Sequence, residues 1–285
     1  MGDVKHPELV TSFIDGAFVP PATGGHRLDV INPSTEERQA QLCEADDREV
    51  GRAVQAAATA FEQARWHGLP VEQRAAILRR VADLAEQHSA ELCYLESLDL
   101  GIPTRVAAAM VTARVARNFR FYADSLSQAA ERAVRLDDQF QRYVHRDPVG
   151  VCGLISPWNA PLMLATSKIA PALAFGNTCV IKPSEYTPLA LARFMTLLLE
   201  AGVPAGVVNM VNGRGHVTGA ALTQHPQVGM LSFTGGGAAG RAIAAAAGQG
   251  LKKWDLELGG KSACIISDSA DLDAALDGSL LGSPP

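Results

Sequence analysis

From Val149 onward, the sequence alternates short apolar strands with helices. Strands are predicted at Gly150–Ile155, Cys179–Lys182, Val207–Val211, Met230–Thr234, Trp254–Glu257 and Ala263–Ser267. Helices are predicted at Leu162–Ala174, Leu189–Ala201, His216–Gln224, Ala238–Ala247 and Leu272–Leu281. Continuously apolar strands that alternate with helices are typical of a parallel sheet covered on both faces. We therefore expect an α/β protein with a mostly parallel sheet, in which ligands bind at the carboxyl ends of the strands.

The region before this alternation is predicted to be mostly helical. Two extended segments come first, Ser12–Val19 and Arg27–Ile31, and three helix starts follow, at Asp46-Asp47, Pro70 and Thr104. Residues 132–146 then resemble a hairpin, with strands Ala133–Leu136 and Phe140–His145 on either side of Asp137-Asp138. Such a hairpin is either a surface feature or an interaction element.

Composition excludes several classes of protein. Among 285 residues, 25 basic and 30 acidic side chains give a net charge of -5, and no basic cluster indicates a nucleic-acid partner. No segment approaches the roughly 20 apolar residues of a membrane span, so no membrane partner is expected. The first residues contain no apolar stretch typical of a signal peptide. The five scattered cysteines form no CxxC pair, which predicts neither a metal site nor a disulfide framework, and we expect a cytoplasmic protein.

Polar residues follow the first two strands of the alternating region. After the first, Asn159 has a side-chain amide that can donate to a developing oxyanion, or can instead cap the next helix. After the second, Lys182 and Glu185 can bind the hydroxyls of a ribose. Because a carboxylate there would repel a 2′-phosphate, Glu185 favours NAD over NADP. The alternative is a solvated loop with a helix cap at Ser184.

Glycines follow the next two strands. The G-x-G-x-x-x-G run from Gly213 to Gly219 differs by one residue from the usual dinucleotide fingerprint and indicates little beyond a tight turn. The glycine-rich turn from Gly235 to Gly240 opens a helix, and its backbone N–H groups can bind a phosphate. The turn lacks the Lys-Ser/Thr of a P-loop, so ATP is disfavoured and a pyrophosphate is plausible.

The fifth strand ends in Glu257, immediately before Leu258, Gly259 and Gly260. A carboxylate at the end of an apolar strand is expected in a partly dry site, which suits a general base working near neutral pH. The alternative is an ion pair with a neighbouring lysine, namely Lys252, Lys253 or Lys261.

Taken in order, these motifs closely resemble the aldehyde dehydrogenase superfamily from about Ile14 to the end of the chain. The motifs are Pro157-Trp158-Asn159, Lys182-Pro183-Ser184-Glu185, Phe233-Thr234-Gly235 and Glu257-Leu258-Gly259-Gly260-Lys261. The resemblance implies an aldehyde dehydrogenase-like, Rossmann-like fold, a nicotinamide cofactor, a covalent intermediate on a cysteine, hydride transfer and hydrolysis.

The resemblance also implies roles for individual residues. Asn159 would be the oxyanion-hole amide, and Glu257 the base that activates the deacylating water. NAD would be held by Ile155, Ser156, Pro157, Trp158, Lys182, Ser184, Glu185, Gly215, Phe233, Thr234, Gly235, Gly236, Gly240 and Leu258. The substrate would be a small aldehyde. The segment Asn118–Asp124 resembles the branch that acts on muconic-type semialdehydes, the alternative being a broad aliphatic or aromatic aldehyde enzyme. The 132–146 hairpin would belong to an oligomerisation element, which predicts a homo-oligomer or association with a full-length relative.

Two departures from the family pattern bear on activity. Gly236 to Ala239 replace a run that usually begins with Ser and continues with polar residues, which removes a side-chain donor. The Gly-Gln-x-Cys motif of the nucleophile does not occur, and Cys152, Cys179 and Cys264 are expected to be inert in buried strands.

The chain is therefore expected to be C-terminally truncated and inactive alone, the alternative being a catalytically dead fragment that binds NAD or mediates oligomer contacts. The expected divisions are an N-terminal part at 1–131, the hairpin at 132–146, a cofactor-binding core at 147–260 and the start of a catalytic domain at 261–285.

Overall fold

The computed structural model describes residues 6–21, 24–108, 113–128, 132–135 and 140–282. Its strands are β1 (Leu9–Val10), β2 (Phe13–Ile14), β3 (Ala17–Phe18), β4 (Arg27–Ile31), β5 (Arg38–Cys43), β6 (Arg132–Arg135), β7 (Gln141–Val144), β8 (Val151–Ile155), β9 (Thr178–Lys182), β10 (Val208–Met210), β11 (Val228–Gly235) and β12 (Lys253–Leu258). Its α-helices are α1 (Asp47–Glu62), α2 (Val71–Gln87), α3 (Ser89–Leu100), α4 (Thr104–Ala107), α5 (Ala113–Gln128), α6 (Pro161–Ala174), α7 (Leu189–Ala201), α8 (Ala220–Gln224), α9 (Gly237–Gln249) and α10 (Leu272–Gly282).

The central sheet has the strand order β12-β11-β8-β9-β10-β2-β3. The five strands from β12 to β10 run parallel, and the β2–β3 hairpin adds to β10 in the antiparallel direction. Lys182, Ile155, Phe233 and Leu256 form one row across four parallel strands. The carboxyl ends of these strands therefore lie at one edge of the sheet, as the apolar strand pattern predicts.

Successive strand residues point to opposite sides of the sheet, and helices cover both of its faces. Helices α6 and α7 pack on one face, with α2 and α5 behind them, while α1, α8 and α9 pack on the other. The two faces bury separate hydrophobic clusters. Leu154 and Ile181 belong to the first cluster, and their neighbours Ile155 and Val180 to the second. The α/β expectation is confirmed.

The predicted helix start at Asp46-Asp47 is confirmed. The Asp46 carboxylate caps α1 by accepting a hydrogen bond from the backbone N–H of Glu49 at 2.8 Å. Gly101 ends α3 in the left-handed conformation, with φ of 72°. The hairpin strands also pair as predicted, since β6 and β7 are antiparallel. Its turn at Asp137-Asp138 lies outside the described residues.

Two predicted elements differ in the structure. Ala263–Ser267 is not a strand, and the side chain of Ile265 is 89% exposed. A strand needs a hydrogen-bonding neighbour, and no described strand lies beside this segment. The predicted helix His216–Gln224 begins as a π-helical turn, Gly215–Gly219, and becomes α-helical only at Ala220.

Candidate functional site

The candidate site lies at the carboxyl edge of the parallel sheet, and a cavity opens on each face of the sheet. The cavity on the α8 and α9 face has a volume of about 430 Å³. Three of the predicted cofactor residues line it, namely Ile155, Gly215 and Phe233, together with Ile243 of α9. Ile155, Phe233 and Ile243 are buried hydrophobic residues, so these walls suit a flat apolar ring.

Lys182 lies beside this cavity. A methyl group placed on Gly219, which lines the cavity, would come within 3.6 Å of the Lys182 Cδ and Cε atoms. The Lys182 ammonium is buried and donates to the Pro183 carbonyl at 2.7 Å and to Glu185 at 3.4 Å. Burial lowers the pKa of Lys182, and the Glu185 carboxylate opposes this effect. Lys182 and Glu185, the two residues predicted to bind a ribose, thus lie next to each other beside the cavity as an ion pair.

Ser184 is buried and does not cap a helix. Its hydroxyl accepts a hydrogen bond from the backbone N–H of Tyr186 at 3.3 Å, whereas α7 begins only at Leu189. The helix-cap alternative for Ser184 is therefore wrong, and the residue stabilises the turn that presents Glu185.

The glycine-rich turn after β11 opens α9 as predicted. Gly236 is the N-cap and, having no side chain, leaves the first turn of this helix without a side-chain cap bond. Close packing explains two of the other glycines. A methyl group on Gly240 would come within 2.6 Å of the Leu258 side chain, and one on Gly235 would overlap the ring of Phe233. The exposed N–H groups at the start of α9 can bind an anion.

Asn159 is exposed in the loop between β8 and α6, and the residues before it become progressively more exposed along this loop. Ser156 is buried, and its N–H donates to the Lys182 carbonyl at 3.2 Å, while Pro157 is half-buried and Trp158 is 58% exposed. The N-cap of α6 is Ala160, without a side-chain cap bond. The capping alternative for Asn159 is therefore wrong, which leaves its amide available as a donor.

Glu257 differs from the sequence expectation. It is exposed rather than held in a partly dry site, because β12 is the edge strand and no described strand lies beyond it. The lysine alternative is also wrong within the described residues, since Glu257 forms no ion pair with Lys252, Lys253 or Lys261 there.

Glu257 instead borders the second cavity, of about 630 Å³, on the α6 face of the sheet. Thr234 also lines this cavity, as does Lys168. The Lys168 ammonium donates to the Ser232 hydroxyl at 2.9 Å, and this hydroxyl donates to the Asp255 carboxylate at 3.1 Å. Burial lowers the pKa of Lys168. Sequence reasoning missed this lysine, although one cation in an otherwise apolar helix was a usable signal.

Two buried carboxylates of α3 were also missed. Glu96 accepts a hydrogen bond from the Leu162 N–H at 2.8 Å, and Asp99 accepts one from the Leu189 N–H at 2.8 Å. They cap α6 and α7, whose own N-cap residues provide no side-chain bond. Burial raises the pKa of Glu96 to about 7 and that of Asp99 well above its ordinary value. Glu96 thereby anchors the helix that follows Asn159.

The cysteines do not provide a reactive thiolate beside Glu257. Cys152 borders the same cavity, but burial raises its pKa to about 12. Burial also raises the pKa of Cys179. Cys264 was expected in a buried strand, and this is wrong: it is exposed, because its segment forms no strand, and it lines a different surface depression.

Comparison with known proteins agrees with this geometry. Residues 18–283 match the model of the aldehyde dehydrogenase family. The 5-carboxymethyl-2-hydroxymuconate semialdehyde dehydrogenase of Escherichia coli is 43% identical over 95% of this chain and 56% of its own length. The 2-hydroxymuconic semialdehyde dehydrogenase of a Pseudomonas species is 43% identical over 98% of this chain and 57% of its own length.

Among solved structures, the NAD+ complex of aldehyde dehydrogenase from Bacillus cereus superposes with a TM-score of 0.93 at 40% identity. The match covers 96% of this chain and 56% of that one. The chain thus spans about half the length of the curated relatives that it matches.

Proposed function

The chain belongs to the aldehyde dehydrogenase family, and we propose that it binds NAD and serves the oxidation of an aldehyde to a carboxylic acid. The observation that carries this proposal is the apolar cavity between α8 and α9. It lies at the carboxyl edge of the parallel sheet, beside the buried Lys182–Glu185 pair.

The residues present fit a dinucleotide. The walls formed by Ile155, Phe233 and Ile243 offer apolar contact to an adenine ring, and a volume of about 430 Å³ can hold an adenosine. Lys182 and Glu185 supply a donor and an acceptor for ribose hydroxyls. The uncapped first turn of α9 supplies N–H groups for the pyrophosphate. Leu258 and Gly240 pack against each other and support that turn.

When bound, NAD would supply the acceptor for the hydride that leaves the aldehyde carbon. The role of Asn159 is then to donate its exposed side-chain N–H to the oxygen on which negative charge develops. The role of Glu257 is to accept a proton from water at its carboxylate. Its exposure leaves room for a water molecule beside the carboxylate.

We expect this chain alone to bind NAD without oxidising aldehydes. Cys152 and Cys179 are buried with raised pKa values, and the exposed Cys264 lines a different depression from the cavity that Glu257 borders. Without a thiolate near Asn159 and Glu257, no covalent intermediate forms. Formation of NADH from a panel of aldehydes, well above the rate without protein, would contradict this expectation.

Binding of NAD is tested by isothermal titration calorimetry on two matched glycine variants. Gly215 lines the cavity, and a side chain there meets nothing within 4 Å of its Cβ, so Gly215→Leu adds an apolar side chain at the cavity wall without a backbone clash. Gly248 on α9 is equally open but lies outside the cavity. We expect Gly215→Leu to weaken NAD binding by at least about tenfold, and Gly248→Leu to leave it unchanged. Equal affinities of the two variants would refute the assigned cavity.

A muconic-type semialdehyde is the proposed substrate, supported by the names of two relatives at 43% identity. Within Asn118–Asp124, Tyr122 borders the cavity of Glu257, whereas Phe119 is in the core and Arg120 pairs with Asp83. Of the three, only Tyr122 can therefore contact a molecule in that cavity. Competitive calorimetric titration of the chain with semialdehyde, aliphatic and aromatic analogues would rank its affinities for the three substrate classes.

Association between copies, or with a longer relative, is proposed to use the β6–β7 hairpin. Tyr143 and Val144 are exposed there, and an isolated two-stranded hairpin is marginally stable in water. Light scattering of Tyr143→Asp against the unaltered chain tests this, and an unchanged mass above that of the monomer would contradict it.

Within the described ranges, no helix combines the length and apolar character needed to cross a membrane. The cytoplasmic location stays a prediction.

A further inference from the structure

A charged pair beside the proposed ribose site has no part in the function proposed above. Glu44 follows β5, and Arg214 precedes the π-helical turn that lines the cavity. The Arg214 side chain donates to the two Glu44 carboxylate oxygens, at 2.9 Å from Nε and 2.6 Å from Nη2. The backbone N–H of Arg214 also donates to Glu44, at 2.9 Å. This is the fork-like geometry in which a guanidinium holds a carboxylate most firmly.

The backbone beside this pair is tightly packed. Gly213 has φ of +143°, and a methyl group there would overlap Thr218 Oγ1 and come within 2.9 Å of Glu44 Cγ. The Glu44 side chain is only 5% exposed, whereas that of Arg214 is 36% exposed. The Arg214 hydrogen bond lowers the pKa of Glu44 to about 2, so the carboxylate is ionised at neutral pH. His26 approaches the same carboxylate at 3.4 Å.

The pair stands at the Lys182 end of the cavity. Gly215, next to Arg214, lines the cavity, and the Arg214 carbonyl accepts a hydrogen bond from the Gly219 N–H at 3.3 Å. Gly219 is in turn the residue that lies against the Lys182 side chain. Two cations and two carboxylates are therefore grouped around one end of the cavity, and their charges balance.

We propose that Glu44 is a cofactor-specificity residue that acts through Arg214. By holding the guanidinium in a two-point ion pair, Glu44 withholds from the ribose end a group that would otherwise bind a 2′-phosphate. A free arginine is well suited to phosphate, whereas one already engaged by a carboxylate offers little net charge. Glu44 thus reinforces the preference for a 2′-hydroxyl that Glu185 imposes directly. This inference rests on the proposed binding of NAD.

The test compares two small probes, 5′-AMP and adenosine 2′,5′-bisphosphate, by calorimetry at low salt. The Glu44→Gln variant keeps an acceptor for the Arg214 N–H but removes the charge. We expect it to raise the affinity for the bisphosphate, relative to 5′-AMP, by about tenfold. The double variant Glu44→Gln/Arg214→Gln should return this ratio to that of the unaltered chain. Glu62→Gln, an exposed glutamate at the end of α1, is the matched control.

A ratio unchanged in Glu44→Gln, or raised equally in the double variant, would overturn the inference. Arg214→Gln keeps the test decisive if Glu44→Gln does not fold. It leaves the Glu44 charge unpaired and should lower the bisphosphate ratio, so an increase would equally overturn the inference. Binding of 5′-AMP without the expected change of ratio refutes only the role of Glu44. Failure of the unaltered chain to bind either probe refutes the proposed cofactor site itself, and the inference with it.

Discussion

Glu96 makes the stability of this protein depend on pH. Its carboxylate is fully buried, accepts the Leu162 N–H through one oxygen, and has no hydrogen-bond partner for the other within the described residues. Burial raises its pKa from 4.5 to about 7 in the folded chain. The folded state therefore keeps the proton at pH values where the unfolded chain releases it, so this contribution to stability is present below about pH 4.5 and is lost as pH rises to about 7.

The size of the effect follows from these two values. Between pH 5 and pH 8, the difference in proton binding lowers the free energy of unfolding by about 2–3 kcal/mol. Glu96→Gln cannot ionise, so its stability should not include this loss. Urea unfolding at pH 5, 6, 7 and 8 should show the free energy of unfolding of the variant rising relative to that of the unaltered chain by about 2–3 kcal/mol across the range. The exposed Glu62→Gln controls for the change of net charge. Parallel pH profiles of Glu96→Gln and the unaltered chain would refute the reasoning.

Three further predictions concern packing and thiol chemistry. Trp66→Phe removes a buried hydrogen bond of 2.6 Å to a carbonyl of α6 and should lower the free energy of unfolding in urea by about 1–3 kcal/mol; an unchanged midpoint would contradict it. Gly153→Ala places a methyl group 2.9 Å from a leucine side chain and should cost about 1–3 kcal/mol. Gly248→Ala, in open space on α9, should instead stabilise by about 0.5–1 kcal/mol, and equal effects of the two would refute this contrast. With a chromogenic disulfide at pH 8, Cys264 should react fast, whereas Cys152 should react only when the protein unfolds. Fast reaction of Cys152 in the Cys264→Ser variant would contradict this prediction.

Local patterns located the motifs of the candidate site well. The predicted helix Leu189–Ala201 has the same bounds in the structure, and the parallel order of the strands places Asn159, Lys182 and Glu257 at or just beyond strand ends that lie at one edge. These features depend on apolar periodicity and turn residues that are close in the chain. Three of the predicted cofactor residues consequently line one cavity.

The environments of individual side chains could not be read in the same way. The position of β12 in the sheet, rather than its own sequence, leaves Glu257 exposed. An apolar run such as Ala263–Ser267 becomes a strand only if a neighbouring strand supplies hydrogen bonds. In the sequence, Glu96 does not differ from the other acidic residues of helices, and only the packing of α6 shows that it accepts a hydrogen bond from Leu162.

The order of strands and helices, the family and the places of the motifs along the chain were determined by the sequence itself, because each depends on residues within a few turns of one another. Tertiary structure decided which charges meet. Glu44 and Arg214 are 170 residues apart, and Glu96 and Leu162 are 66 apart. Chain closure over such distances is set by the packing of the whole sheet and its helices, so no local spacing of residues encodes these contacts.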